Sequence, residues 1–307
     1  MSDPVPAALG FLGDRLGHDV PVGPWCTYRV GGPARWSALV ESEEELAHVA
    51  SALAALAAPP DVLVIGKGSN LLVADRGFDG LLLRLGDGLA RIGVHGHVLE
   101  VGGAAALPVV ARRSVAESLS GFEWAVGVPG SIGGAVRMNA GGHGSDMAAS
   151  LLGVRVVDLR SGETREVAAA DLDLSYRSSS VSAHEVVVSA RLGLSPGERS
   201  RGEELLSEIV AWRRQNQPGG HNAGSVFTNP EGESAGRLID AAGCKGLRMG
   251  TAQVSTKHAN FIQSDDGGSA DDVRAVMDDV IRRVLADSVV ELHPETVLVG
   301  LDYPEQP

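Results

Sequence analysis

The segment Gly121–Gly144, GFEWAVGVPGSIGGAVRMNAGGHG, restricts the fold more than any other stretch of the chain. Seven of the 18 residues from Gly127 to Gly144 are glycine, at 127, 130, 133, 134, 141, 142 and 144, and their neighbours are apolar or small. A disordered linker would carry a charged mix instead, so the segment reads as a folded loop. Glycine accepts positive φ and lets the backbone come close to a bound group, so consecutive amide N–H groups can point at one anion, such as a pyrophosphate. A set of tight turns between strands accounts for the same glycines. A second stretch has to decide.

That stretch is Gly66-Lys-Gly-Ser-Asn70, which follows the short apolar run Val62 to Ile65. It is not a P-loop, because Asp61 stands where the first glycine belongs and Gly68, not Ser or Thr, follows Lys67. Nor is it the dinucleotide fingerprint, because Leu71 replaces the third glycine and LLVADRGFDGLLLRL continues as strand, turn and strand. Two glycine turns flanked by strands point to a cofactor held between β-rich lobes and not to a Rossmann unit.

A chain of 307 residues suggests about two domains. It has no apolar run of about 18 residues, which argues against a membrane span, and no basic start before an apolar core, which argues against a secretory signal. Cys26 and Cys244 are the only cysteines, too few for a disulfide framework or a cysteine zinc cluster, so a reduced, cytoplasmic protein is expected. The net charge of −13 speaks against a nucleic-acid surface but leaves room for one anionic small molecule. Lysine occurs only at 67, 245 and 257, and arginine makes up the rest of the 26 basic residues.

Taken in order, Thr27 to Val30 reads as a short strand. Ser42 with Glu45 has capping-box spacing ahead of an apolar-periodic helix through Leu46, Val49, Leu53 and Leu56, which Pro59 and Pro60 end. Further strands are expected at Leu99–Val101, Gly153–Asp158, Glu166–Ala168 and Val186–Leu192, and helices at Leu107–Leu119, Gly202–Arg214 and Ser234–Ala242. Ser269 caps a last helix through Val273, Val276, Met277, Val280, Ile281 and Leu285, and a final strand over Val289–Leu301 carries His293-Pro-Glu295. The apolar pattern lapses near Ser195, which suggests a boundary between 1–198, with lobes of about 1–78 and 79–198, and 199–307. The last residues are expected to return to the first lobe. No internal repeat is visible.

Seven motifs in register carry a resemblance over nearly the whole chain: TYRVGGPA (27–34), GKGSNLLV (66–73), GVPGSIGGAVRMNAG (127–141), SYR (175–177), AGSVFTNP with SAGRLID and KG (223–246), VSTKHANFI (254–262) and LHPETVLVG (292–300). In these the sequence resembles the UDP-N-acetylenolpyruvoylglucosamine reductases. The resemblance implies an α+β fold with a two-lobed FAD-binding domain of the vanillyl-alcohol-oxidase/PCMH type and a C-terminal α+β substrate-binding domain. It implies non-covalent FAD, NADPH as co-substrate, a UDP-sugar substrate, no metal, no nucleic-acid or membrane partner, and a monomer.

For individual residues, the resemblance places Gly66, Lys67, Gly68, Ser69, Asn70, Val128, Pro129, Gly130, Ser131, Gly133 and Gly134 around the pyrophosphate and Asn139 and Ala140 near the flavin. Arg177 would pair with the substrate carboxylate and favour the enolate-like form, as a guanidinium can. Ser225 would give the proton to the carbon beside that carboxylate, a demanding role for a poor acid. Glu295 would contact the developing enolate. Asn229 would lie near the substrate diphosphate, with Tyr176, Arg237, Lys245, Lys257 and Arg213 or Arg214 as further substrate-binding candidates. His143 has no partner in the sequence that would make it a ligand or base and is read as structural.

Two departures stand out. Thr228 occupies a position where many relatives have lysine, so one diphosphate contact is missing. Only a short interval separates Tyr176-Arg-Ser-Ser-Ser180 from the strand at Val186, leaving no room for a substrate-covering tyrosine loop, so the chain falls in the shorter subclass. Another FAD-linked oxidase or dehydrogenase of the same fold, acting on a hydroxy acid or alcohol, is the competing reading. A flavin-binding protein without turnover is a third, which the presence of Arg177, Ser225 and Glu295 disfavours.

Overall fold

A computed structural model describes residues 3–301. Its contacts divide the chain into two units. The first takes the residues up to His18, Trp36–Lys67 and Asp79–Trp212, and the second takes Asp19–Arg35, Gly68–Phe78 and the chain from Arg213 on.

The first unit holds two apolar cores. One gathers Leu9, Trp36, Val40, Leu46, Leu81 and Val188. It lies between the short helix α1 (Pro4–Leu9), the helix α2 (Glu43–Ala54) and a sheet in the order Leu16–Pro21, Pro33–Val40, Phe78–Leu85, Val62–Ile65. α2 forms where the spacing predicts it. Leu46, Val49, Ala50 and Leu53 fall on one buried face, each large side chain contributing about 1.5–3 kcal/mol by leaving water. Ser42 Oγ accepts the Glu45 N–H at 3.2 Å, but the expected reciprocal bond gives way: the Glu45 carboxylate accepts from Glu41 N–H at 2.8 Å and pairs with Arg15 at 2.6 Å. A cation within reach outcompetes one more backbone donor.

The second core gathers Leu99, Val110, Phe122, Ile132, Val154 and Leu192. It covers an antiparallel sheet in the order Thr164–Ala168, Leu151–Asp158, Glu185–Gly193, Val98–Gly102, Ile92–His95. Helix α3 (Leu107–Ala116) lays Leu107, Val110, Ala111 and Val115 against it and stops short of the expected Leu119, because Ser118 turns to φ 57. The glycine-rich stretch is more structured than a loop: a 3-10 turn over Glu123–Gly127, helix α4 (Ile132–Arg137) and a small hairpin of Gly141–Gly142 with Ser145–Asp146. Helix α5 (Arg199–Asn216) exceeds the expected span at both ends.

The second unit is built around Tyr28, Leu72, Val226, Ile239, Val254 and Met277. Helix α6 (Ala235–Ala241) and helix α7 (Ala270–Ser288) pack with a small antiparallel sheet of Arg248–Met249, Ala252–Val254 and Ile262–Ser264. Thr27–Val30 is not the expected strand. Tyr28 sits in a turn with its ring fully buried, where core packing prevails over β-propensity. Nor does Val289–Leu301 form one strand. Val289 ends α7 at φ 61, and only Val297–Val299 is extended, in parallel register with Leu71–Val73. That pairing lies inside the second unit. Contacts therefore part the chain at Trp212/Arg213, not near 198, and group 19–35 and 68–78 with the C-terminal residues instead of with the expected first lobe. Residues 302–307 of the expected return lie outside the described residues.

Candidate active site

In the first unit the two glycine turns meet. A Cβ at Gly66 would sit 2.1 Å from Ser131 Oγ, so only glycine fits where the Val62–Ile65 strand end passes the start of α4. Most amides of the second turn are already used: Val128 N–H donates to Ala125 O at 3.1 Å, Ile132 to Ala105 O at 2.9 Å, Gly133 to Gly103 O at 2.9 Å, and Gly134 to Ser131 Oγ at 3.4 Å. Pro129 has no N–H. Among the described residues, the N–H groups of Gly66, Lys67, Gly130 and Ser131 have no acceptor, and the Lys67 ammonium has no partner. Four amides and one cation around a contact only glycine permits are a donor set for a diphosphate, and the residues fit the pyrophosphate of FAD. Gly133 packs closely instead, since a Cβ there would lie 3.2 Å from Val187 O.

Beside this cradle, Tyr176 and Arg177 form the tip of a two-residue turn closed by Ser175 N–H to Ser178 O at 3.0 Å and Ser178 N–H to Ser175 O at 3.1 Å. Arg177 has φ 56, its Nη2 donates to Gly141 O at 3.3 Å, and its guanidinium carbon stands 5.0 Å from the Tyr176 ring centre. Tyr176 is 57% exposed, while Arg177 is half-buried, so Arg177 is not a free surface charge. Asn139 is buried and bonded within the protein, donating to Ser175 O at 2.8 Å. Ala140 continues the same backbone, its N–H on Ala135 O at 2.8 Å. The His143 ring meets the Trp212 ring edge-on, their centres 5.1 Å apart.

In the second unit, Ser225 and Glu295 lie on segments that pair backbone to backbone. Phe227 bridges Pro294 antiparallel, Glu295 N–H donates to Val226 O at 2.7 Å, and Thr228 N–H donates to His293 O at 3.0 Å. Asn70 braces Glu295 from the other side, its Nδ2 donating to Glu295 O at 3.0 Å while its own carbonyl accepts from Val297 N–H. Gly68, at φ 59, packs where a Cβ would lie 2.1 Å from Trp25 O. Ser69 is half-buried in the same turn. The turn that looks like one motif in the sequence thus does two jobs: Gly66 and Lys67 present amides in the first unit, and Asn70 holds the Glu295 backbone in the second.

Several of the substrate-binding candidates already bond within the second unit. Asn229 Oδ1 accepts Ala235 N–H at 3.0 Å at the start of α6, Arg237 pairs with Glu233, Lys245 with Asp240 at 2.6 Å, Lys257 Nζ donates to Arg214 O at 2.6 Å, and Arg213 Nε to Gln217 at 2.6 Å. Three residues escaped sequence reading. Asn260 is 3% exposed and clasps Phe227 through both its N–H and its carbonyl, at 3.0 and 2.8 Å, which fixes the strand after Ser225. An asparagine flanked by Ala259 and the apolar pair Phe261-Ile262 is the signal that could have found it. His258 stands two residues before it, and burial holds its pKa below the ordinary imidazole value. Thr296, beside Glu295, buries a hydroxyl without a partner among the described residues. No group of three or more metal-ligating side chains occurs among the described residues.

Two cores with a glycine cradle in one unit and a second α+β unit define a flavin-binding protein fold, and residues 36–168 match the family described as FAD binding domain. Residues 215–299 match the family described as UDP-N-acetylenolpyruvoylglucosamine reductase, C-terminal domain. The chain is 42% identical over 296 residues to the UDP-N-acetylenolpyruvoylglucosamine reductase of Acidiphilium cryptum, covering 96% of this chain and 94% of that one. The reductase of Gloeobacter violaceus is 41% identical, with 94% and 97% covered. The crystal structure of the Thermus caldophilus UDP-N-acetylenolpyruvylglucosamine reductase matches with a TM-score of 0.79 at 34% identity, covering 92% of this chain and 98% of that one. The chain belongs to the UDP-N-acetylenolpyruvoylglucosamine reductase family, and the expected fold class holds.

Proposed function

We propose that this protein reduces the enolpyruvyl group of UDP-N-acetylglucosamine enolpyruvate to UDP-N-acetylmuramate, a step of peptidoglycan precursor synthesis, with NADPH as the electron source. The observation that carries the reading is the pairing of the Ser225 and Glu295 segments within one unit, in a chain that matches relatives bearing the reductase name over nearly their whole length. FAD, when bound, supplies the hydride relay between nicotinamide and the vinyl carbon.

The chain's own residues do the rest. Gly66, Lys67, Gly130 and Ser131 hold the diphosphate of the cofactor, and Val128, Pro129, Gly133 and Gly134 shape that turn. Arg177 pairs with the substrate carboxylate and so favours negative charge at the neighbouring carbon. Glu295 contacts the same enolate. Ser225 delivers the proton to that carbon, completing addition of hydride and proton across the double bond. Arg237, Lys245 and Lys257 reach the substrate's diphosphate by exchanging partners, and an exposed ion pair is weak enough, about 0–1 kcal/mol, to let that happen. Thr228 does not stand in for the missing lysine, since both its N–H and its hydroxyl turn to His293 O. The protein works as a cytoplasmic monomer without nucleic acid, and among the described residues no helix is long and apolar enough to cross a membrane.

The test is NADPH oxidation by yellow, FAD-loaded protein with and without the enolpyruvyl substrate. Oxidation that depends on this substrate is expected. A protein that takes up no FAD refutes the reading, and a flavoprotein indifferent to this substrate but active on a hydroxy acid or alcohol establishes the oxidase alternative.

A further inference from the structure

Asn139 is 2% exposed and has φ 37, an uncommon backbone state for a residue other than glycine. Both of its amide N–H donors are spent inside the protein, on Ser175 O at 2.8 Å and on Asp146 Oδ2 at 3.3 Å, and its Oδ1 accepts Ala148 N–H at 3.0 Å. Ser175 opens the turn whose tip is Tyr176-Arg177, and Arg177 returns a bond to Gly141 O at 3.3 Å, two residues past Asn139. The segment 139–141 therefore grips the turn twice, once at its base and once through the guanidinium.

The chemistry of the side chain is specific. An amide offers an acceptor and donors on one short stem, and this position needs both. Aspartate would keep the acceptor for Ala148 but set an oxygen against the Ser175 carbonyl and the Asp146 carboxylate. Arg177 is itself at φ 56, and strained backbone of this sort persists only where the surroundings over-determine it. Asn139 is the buried group that does so here.

We infer that Asn139 is a positioning residue for Arg177 and not a flavin contact. It couples the stretch that begins with the FAD cradle to the turn that carries the carboxylate-binding guanidinium. The inference rests on the proposed function only for what Arg177 does. That Asn139 fixes the turn is a separate claim with its own readout.

Two variants test it, Asn139→Asp, which breaks only the donor side, and Asn139→Gly, which suits the positive φ and removes all three side-chain hydrogen bonds of Asn139. Each FAD-loaded variant is compared with wild type for FAD affinity, for flavin reduction by NADPH, for reoxidation by UDP-N-acetylglucosamine enolpyruvate, and for tryptic cleavage after Arg177. FAD affinity and flavin reduction are expected to stay as in wild type. Reoxidation should slow by about 100-fold, the size of effect that a small misplacement of a reacting group produces. Trypsin should cut the Arg177–Ser178 bond faster while the cleavage rate elsewhere is unchanged. In an Arg177→Ala background, Asn139→Asp should slow reoxidation no further, because residues that act through one another are non-additive.

Weakened FAD binding with an unaltered rate of cleavage at Arg177 would overturn the inference, as would an equal further loss in the Arg177→Ala background. If Asn139→Asp does not fold, Asn139→Gly carries the same readouts. A wild-type holoenzyme that is not reoxidised by this substrate refutes the proposed function instead, and cleavage at Arg177 then still decides whether Asn139 fixes the turn.

Discussion

Gly66 shows how much one missing side chain decides. Its Cβ would lie 2.1 Å from Ser131 Oγ, and that hydroxyl also caps α4 by accepting Gly134 N–H. Gly66→Ala must push Ser131 aside, so it removes a helix cap worth about 1 kcal/mol and disturbs the amides of the cradle together. The expected outcome is a folded protein with FAD affinity lowered by at least about tenfold, since about 1.4 kcal/mol suffices for that; fluorescence titration of the apoprotein checks it, and undiminished affinity would place the diphosphate elsewhere. Ser225→Ala is a different case, because Ser225 belongs to the second unit and the cradle amides belong to the first. Flavin reduction by NADPH should proceed nearly as in wild type, with reoxidation by the substrate slowed by at least about 100-fold, within the range removal of a positioned proton donor produces. Equal slowing of both half-reactions in stopped-flow traces would contradict the role. At this scale the sequence was a good guide to which residue types matter and a poor one to how they are spent. Asn139, Asn70 and Asn229 each sit in a recognisable motif, but what an amide bonds to depends on which carbonyl the fold delivers, and Ser175 O, Glu295 O and Ala235 N–H come from 36, 225 and 6 residues away.

Elements were legible where periodicity and capping agreed. α2 and α7 fall where apolar spacing and the serines at 42 and 269 put them. Thr27–Val30 and Val289–Leu301 were not, because a fully buried Tyr28 turn and a left-handed Val289 are set by packing that no local pattern reports. α7 also has a cap that local reading missed: Asp75 accepts from Ser269 Oγ at 2.5 Å, Ala270 N–H at 3.0 Å and Asp271 N–H at 3.2 Å. A carboxylate facing the first turn satisfies orphan donors and the helix dipole at once, so Asp75→Ala should lose about 1–2 kcal/mol in urea unfolding; a loss within error would mean that Ser269 alone suffices. α2 carries a pH signature. Its Glu45 is held down to about 2, chiefly by the hydrogen bond from Arg15 and then by Glu41 N–H. A carboxylate with a depressed folded-state pKa stabilises fully above its ordinary value of 4.5 and loses that contribution as pH falls through about 2. Wild type should therefore be more stable than Glu45→Gln at pH 7, and the gap in urea midpoint should narrow steadily below about pH 4.5. A gap that does not change with pH would show that the ion pair contributes nothing.

The division of the whole molecule was the least legible level. A boundary near Ser195 follows from a lapse in apolar pattern, but membership of a unit is a matter of long-range contacts. The segments 19–35 and 68–78 are early in the chain and belong with residues beyond 212. Tyr28, Val30 and Leu72, each less than 5% exposed, are buried in one core with Val226, Val254, Ile262, Val276 and Met277. Leu71–Val73 takes its strand partner from Val297–Val299, and Asp75 spends its carboxylate on the start of α7. A chain ended after Trp212 keeps every residue of the first unit, both of its apolar cores and the four free amides of the cradle, yet strips the cover from these early residues. Burial of Val or Leu contributes about 1.5–3 kcal/mol per side chain, so exposing three large apolar groups and an unpaired strand edge outweighs a large share of the roughly 5–15 kcal/mol that holds a domain together. The truncated chain should therefore aggregate or bind a hydrophobic dye and hold FAD poorly, although no residue assigned to the diphosphate has been removed from the first unit. Restoring solubility by replacing Val30 and Leu72 with polar residues should bring FAD binding back, because the defect lies in uncovered surface and not in the cradle. A truncated chain that is monomeric, dye-silent and yellow without those replacements would show that the first unit folds and holds FAD without the C-terminal residues of the second.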